Sequence, residues 1–258
     1  METKKSSRLL LESIYDVLRS ETIRPRQRSL RAWAFQVYIL MSLIGFAVLA
    51  IMVTVFPVID LDIRLTQELQ AELPTWSGSV LQFVSWFGYT WQSLATCIVF
   101  VSVLYKLGLR CEAVTLAFAS LVSLLLNMII KYTVRRPRPT NDLVDVFTAL
   151  NTYSFPSGHV MFYTVFFGFL AFLSFILIKR VWLRTILLLT FISLVITVGP
   201  SRVYLGEHWT SDVIGAYIIG FVVLFGVIRA YRISKIKLLN DQPVVPWNEV
   251  DNQPSENT

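Results

Sequence analysis

Charge is scarce in this sequence. Asp, Glu, Lys and Arg make up 16% of its 258 residues and apolar residues 55%, against roughly 25% and 45–50% in soluble domains, which argues against an ordinary cytosolic enzyme. Cysteine is scarcer still. Cys97 lies inside an apolar run and Cys111 opens another, with no C-x-x-C or zinc spacing, so a disulfide framework and a zinc site are excluded and both thiols read as packing residues. No internal repeat is present. A cleavable signal peptide is not legible either, because the first long apolar run begins at Gln36 after eight Lys/Arg residues, and the first span is expected to stay in the mature protein.

What is abundant is apolar sequence of membrane-crossing length. Spans are expected at Gln36–Ile59, about Trp91–Tyr105, Ala113–Ile130, Val160–Ile178, Val181–Pro200 and Asp212–Ile228, giving an all-α, six-span transmembrane bundle. Short interfacial helices should accompany them: Ser7–Ser20 gathers Leu10, Leu11, Ile14, Val17 and Leu18 on one face, and Leu61, Leu65, Leu69 and Leu73 recur every fourth residue up to Pro74. The uncharged stretch Leu73–Tyr105 is too long for one span, and Gly88 is expected to divide it into a shallow helix and the second span. The domain reading is therefore a cytoplasmic N-terminal segment at 1–35, a membrane domain at 36–231 and a polar, proline-bearing tail at 232–258, disordered beyond about Leu239.

The net charge of +6 does not point to nucleic acid, because the basic residues flank apolar runs instead of forming a stripe. Alternate connections and termini carry 17 against 6 of the 23 Lys/Arg residues. The rich set includes both termini, which places them in the cytoplasm by the positive-inside rule. Four of the six residues on the poor side are Lys131, Arg135, Arg136 and Arg138, a breach of the trend that suits an anionic ligand.

Three polar clusters stand at span ends that topology brings to the non-cytoplasmic face: Lys131 to Pro139, Pro156-Ser157-Gly158-His159, and Ser201 to Asp212. Lys131, Arg138 and Arg202 supply positive charge matched to phosphate oxygens. Ser157 and Gly158 open the fourth span, where free backbone N–H groups attract anions. Paired carboxylates and His/Cys ligand spacings are lacking, so the cradle is expected to work without a metal or other cofactor. Both histidines of the chain fall in these clusters. Asp212, four residues after His208, is expected to accept the ring Nδ1–H, leaving Nε2 to attack phosphorus, while His159 protonates the departing oxygen.

K-x6-R-P, P-S-G-H and S-R-x5-H-x3-D, in that order, resemble the three signature motifs of the type 2 phosphatidic acid phosphatase superfamily, with every signature position matched from Lys131 to Asp212. The resemblance implies a phosphohistidine on His208, His159 as acid and then base, Asp212 as the orienting carboxylate, and Lys131, Arg138, Ser157, Gly158 and Arg202 around the phosphoryl oxygens. The expected enzyme is an integral membrane phosphatase of the plasma (inner) membrane, removing the terminal phosphate of a lipid phosphate or polyprenyl diphosphate at the outer face. Two rivals use the same residues: a lipid phosphotransferase with an alcohol as acceptor, and a membrane haem protein with His159 and His208 as axial ligands.

Other positions stay open at this level. Arg135 and Arg136 fit headgroup-facing charges as well as contacts to a second phosphate. Asn127 suits a hydrogen bond within the bundle. The series Phe162, Phe166, Phe169 and Phe172 suits bundle packing or an acyl-chain wall, and Thr140–Phe155 a lid or a cap.

Overall fold

The computed structural model describes residues 25–148 and 150–240. The helix expected at Ser7–Ser20 and the tail beyond Asn240 lie outside these residues. Among the described residues there are eight helices and no strand: α1 Pro25–Val55, α2 Asp60–Glu72, α3 Thr75–Trp86, α4 Thr90–Lys106, α5 Arg110–Val134, α6 Gly158–Leu177, α7 Val181–Tyr204 and α8 Thr210–Asn240. Five of them (α1, α5, α6, α7 and α8) are long and apolar enough to cross a membrane, and the bent pair α3 and α4 passes the same test only when taken together, as a broken span or a re-entrant loop.

Lipid replaces water around most of this surface. Leu40, Ile44, Val48 and Ile51 of α1 and Phe118, Leu121, Leu124 and Leu125 of α5 are exposed, a patch that water would not tolerate and hydrocarbon accommodates. At the centre stands α6, with 67% of its apolar window buried against 11% in α1 and α7. It packs on α5, α7 and α8. Phe166 and Phe169 are fully buried, and Phe162 stacks on Phe166 at 4.9 Å, so the aromatic series builds the bundle core.

Three local features position the polar clusters. First, the run from Leu73 to Tyr105 is broken as expected: α3 ends at Trp86, α4 starts at Thr90, and they diverge by 57°. Second, α7 does not stop at Pro200 but continues to Tyr204. Proline removes the N–H that would bond the Ile196 carbonyl. Tyr217 compensates, its hydroxyl donating to Val195 O at 2.6 Å or Ile196 O at 3.2 Å. Third, α8 runs past Ile228 to Asn240, because Tyr231 and Lys235 both donate to buried Glu112 of α5 at 2.7 and 2.6 Å. The membrane and tail segments read from hydropathy are thus joined by one continuous helix.

Helix α2 is amphipathic in an inverted sense. Leu61 and Leu65 face outward while Asp62 and Thr66 are buried, as suits a helix lying between lipid and a polar site. Its Gln67 donates to Leu143 O at 2.9 Å and Gln70 to Asp145 O at 2.8 Å. Phe147 stacks on Tyr204. The connection between Thr140 and Phe155 is therefore a cap bonded to α2 and α7. Gly206, at φ 64°, lets it close, since a Cβ there would overlap the Asp145 carbonyl.

Candidate active site

Each cluster is held by a helix end. Lys131 lies in the last turn of α5 and donates to Tyr153 O at 2.6 Å. Arg135 then takes the left-handed conformation, φ 54° and ψ 34°, at the helix C-cap. It stays exposed, and the chain turns inward after it, burying Arg136. Arg138 donates to Thr152 O at 2.7 Å, Thr152 Oγ1 at 2.9 Å and Glu207 O.

Ser157 is the N-cap of α6 without a side-chain cap bond, and its N–H donates to Asp212 O at 3.3 Å. Gly158 and His159 form the first turn. Asn127 of α5 braces this start, donating to Pro156 O at 3.1 Å. Against His159 lies the bend between α3 and α4. A Cβ on Gly88 would overlap the imidazole, and the Tyr89 ring meets it edge-on at 4.9 Å.

Ser201 and Arg202 occupy the end of α7, and His208 the short turn before α8. Glu207 N and His208 N both donate to Arg202 O at 3.2 Å, which holds the turn closed. His208 Nε2 is 3.3 Å from Arg138 Nη1. Burial, followed by the cations of Arg138, Lys131 and Arg202, pushes the His208 imidazole well below the ordinary histidine range. The same burial and neighbouring cations favour the neutral form of the ring.

The expected Nδ1 bond to Asp212 is not formed. Nδ1 lies 3.5 Å from Asp212 Oδ2, outside good hydrogen-bond geometry. The i,i+4 rule holds within a helix, and α8 begins only at Thr210. Asp212 is instead engaged by Arg136 Nη1 at 2.6 Å on Oδ1, and by Trp209 N at 3.0 Å and Ser154 Oγ on Oδ2.

Five residues outside the signature positions join the site. Glu207 forms an ion pair with Arg202 and accepts from Tyr89 OH at 2.9 Å. Ser85 accepts from Arg202 Nη1 at 2.9 Å and pairs with Ser201 Oγ at 2.7 Å. Arg136, which fitted a headgroup or phosphate contact by sequence, is fully buried and paired with Asp62 and Asp212 at 2.7 and 2.6 Å. The neutral residue beside Arg136, Ser211, joins Asp62 through both its N–H and hydroxyl. A buried carboxylate next to a motif histidine was a signal for Glu207; Asp62, in another helix, offered none.

The charges do not cancel. Arg202 is matched by Glu207 and Arg136 by two carboxylates, whereas Lys131 and Arg138 bond only neutral acceptors among the described residues. Burial lowers the Arg138 guanidinium to about 10, an effect that the charge of Asp212 offsets only in part. Ser157 Oγ and His159 Nε2 are buried and make no hydrogen bond among the described residues. Such groups typically cost about 1–3 kcal/mol each. Surplus cations, a free hydroxyl and two imidazoles together suit an oxyanion that arrives with its own acceptors.

Residues 112–235, which contain all three clusters, match the model of the PAP2 superfamily. The chain is 23% identical over 171 residues to an undecaprenyl-diphosphatase of Sulfolobus acidocaldarius, an alignment covering 64% of this chain and 76% of that protein. Its fold is similar to the PAP2-type phosphatidylglycerolphosphate phosphatase of Bacillus subtilis, with a TM-score of 0.65 at 21% identity over 74% of this chain and 94% of that one. It is also similar to Aquifex aeolicus LpxE, with a TM-score of 0.52 at 19% identity over 66% and 96%.

Proposed function

We propose that this chain, whose residues 112–235 match the PAP2 superfamily model, is a metal-independent lipid phosphate phosphatase working through a phosphohistidine. The observation that carries this reading is the pair Lys131 and Arg138, bonded only to neutral acceptors among the described residues, beside the buried His208. Nε2 of His208 attacks phosphorus, and the P–O bond to the lipid breaks as His159 gives its proton to the leaving oxygen. His159 then takes a proton from water, which attacks the phosphohistidine, releases inorganic phosphate and restores both imidazoles. Lys131, Arg138, Arg202, Ser157 Oγ and the Gly158 N–H hold the phosphoryl oxygens as charge grows in the transition state. Arg202 enters this set already ion-paired with Glu207, which tempers its charge.

The substrate class is a terminal phosphate on a membrane lipid or a polyprenyl diphosphate, taken at the outer face of the plasma membrane with both termini inside. Two supports are the lipid-facing helices around the site and the diphosphatase and phosphatidylglycerolphosphate phosphatase named among its relatives. Detergent-purified protein should release phosphate from at least one of phosphatidate, phosphatidylglycerol phosphate and undecaprenyl diphosphate in excess chelator, and vanadate should inhibit it. Activity lost to chelator and restored by a divalent ion would overturn the metal-free cradle. Transfer of the phosphate to added alcohol in place of water would make it a phosphotransferase. For orientation, a cysteine at Asn141 should react with an impermeant thiol reagent in intact cells and one at Asn240 should not; the reverse pattern inverts the topology.

A further inference from the structure

The carboxylate of Asp212 is tied to a second carboxylate that no motif contains. Arg136 donates Nη1 to Asp212 Oδ1 at 2.6 Å and to Ser211 Oγ at 2.7 Å, Nη2 to Asp62 Oδ2 at 2.7 Å, and Nε to Pro57 O at 2.8 Å. Asp62 in turn accepts from Ser211 N at 2.9 Å and Ser211 Oγ at 2.5 Å. Asp62, Arg136 and Asp212 are all buried. The Trp209 ring closes one side of the guanidinium at 5.8 Å. A planar fork that reaches two carboxylates and a hydroxyl at once fixes orientation in a way that an ammonium cannot.

We infer that Asp62 and Arg136 are positioning residues that set the placement and charge of Asp212 beside His208. The inference rests on the proposed roles of His208 and Asp212. One guanidinium between two carboxylates leaves one negative charge in a buried cluster whose Asp212 Oδ2 lies 3.5 Å from His208 Nδ1. That surplus counters the positive charge that develops on the ring when Nε2 bonds phosphorus. If Asp62 is made neutral, Arg136 and Asp212 become a balanced pair and the surplus vanishes. The same bonds make α2, the helix between lipid and the capping loop, a structural support of the nucleophile.

A clasp that merely holds α2 in place predicts something different, and a double-mutant cycle separates the two. Full-length protein is assayed with the fastest substrate of the lipid panel, with vanadate as the binding probe. Asp62→Asn, which keeps the shape of the side chain, should lower kcat and the rate of phosphoenzyme formation about 10–100-fold, the range typical of groups that orient a reacting ligand. KM and the vanadate inhibition constant should stay within about 3-fold. In an Asp212→Asn background the same change should alter kcat by less than about 3-fold, because the path through Asp212 is already cut. Arg136→Lys should behave alike in both backgrounds.

Losses that multiply across the two backgrounds, or wild-type kcat in folded Asp62→Asn protein, overturn the inference. If Asp62→Asn does not insert, Ser211→Ala, which removes only the hydroxyl joining the two charged residues, replaces it. A severalfold loss that disappears in the Asp212→Asn background supports the coupling; a silent or multiplicative effect refutes it. Full turnover in His208→Ala or Asp212→Asn would instead overturn the catalytic reading beneath it.

Discussion

At one end of the bundle Glu112 of α5 accepts from Lys235 and Tyr231 of α8, one buried negative charge against one positive. At the other end of the same two helices, roughly 30 Å away at 1.5 Å of rise per residue, Lys131, Arg136, Arg138 and Arg202 gather around Asp62, Asp212 and Glu207. Both ends bury ionised groups, which hydrocarbon penalises. In the first the charges balance and a fastener results. In the second the cations outnumber the carboxylates, and the excess sits beside two imidazoles. Balance builds structure; surplus builds a receptor for an anion.

The comparison breaks most sharply at His208. His208→Ala should lower turnover about 10⁴-fold or more and abolish phosphoenzyme, measured by acid-quench labelling; retained phosphoenzyme would remove the reacting centre from this end. His159→Ala should be severe with an alkyl phosphate and milder with nitrophenyl phosphate, whose leaving group needs little protonation. Next comes the surplus itself. Arg138→Gln should cost about 10²-fold in kcat/KM and weaken vanadate inhibition, while Arg135→Gln, at an exposed position, should stay within about 3-fold.

The pH profile sharpens the same contrast more gently. A lowered His208 pKa keeps the ring unprotonated at lower pH, so kcat/KM should hold steady as pH falls through 6.5 and decline only below it. Arg138 is a cation below about 10, so vanadate affinity should be lost as pH rises through that value. The smallest effect on catalysis is expected at the balanced end. Glu112→Gln should leave kcat per folded molecule within about 2-fold while lowering stability by roughly 3 kcal/mol, seen as a lower unfolding midpoint in detergent. A loss of activity without loss of stability would show that the two ends are coupled.

The motif residues were legible because order and spacing survive without coordinates: Lys131, His159, Arg202 and His208 sit at ends of helices whose lengths hydropathy already reports. Gly88 as the break in the second crossing was legible for the same reason. Helix boundaries that depend on a distant partner were not. Pro200 reads locally as a stop, and only Tyr217, one helix later, carries α7 past it. Asp62 sits on a helix with leucines every fourth residue, so it reads as a solvated face. The inversion becomes visible only when Leu61 faces lipid and Asp62 meets Arg136, 74 residues downstream. The Nδ1 bond to Asp212 requires helical geometry from His208 onward, and α8 begins two residues later, at Thr210.

The bend between α3 and α4 is also the wall on which the His159 ring rests. Because position 88 has no room for even a methyl group, the path of α3 and α4 and the seat of the His159 ring are inherited together. In a chimera with a relative, α3, α4 and α6 form one exchangeable block. A crossover between them that leaves any side chain at position 88 would evict the imidazole before a substrate arrives.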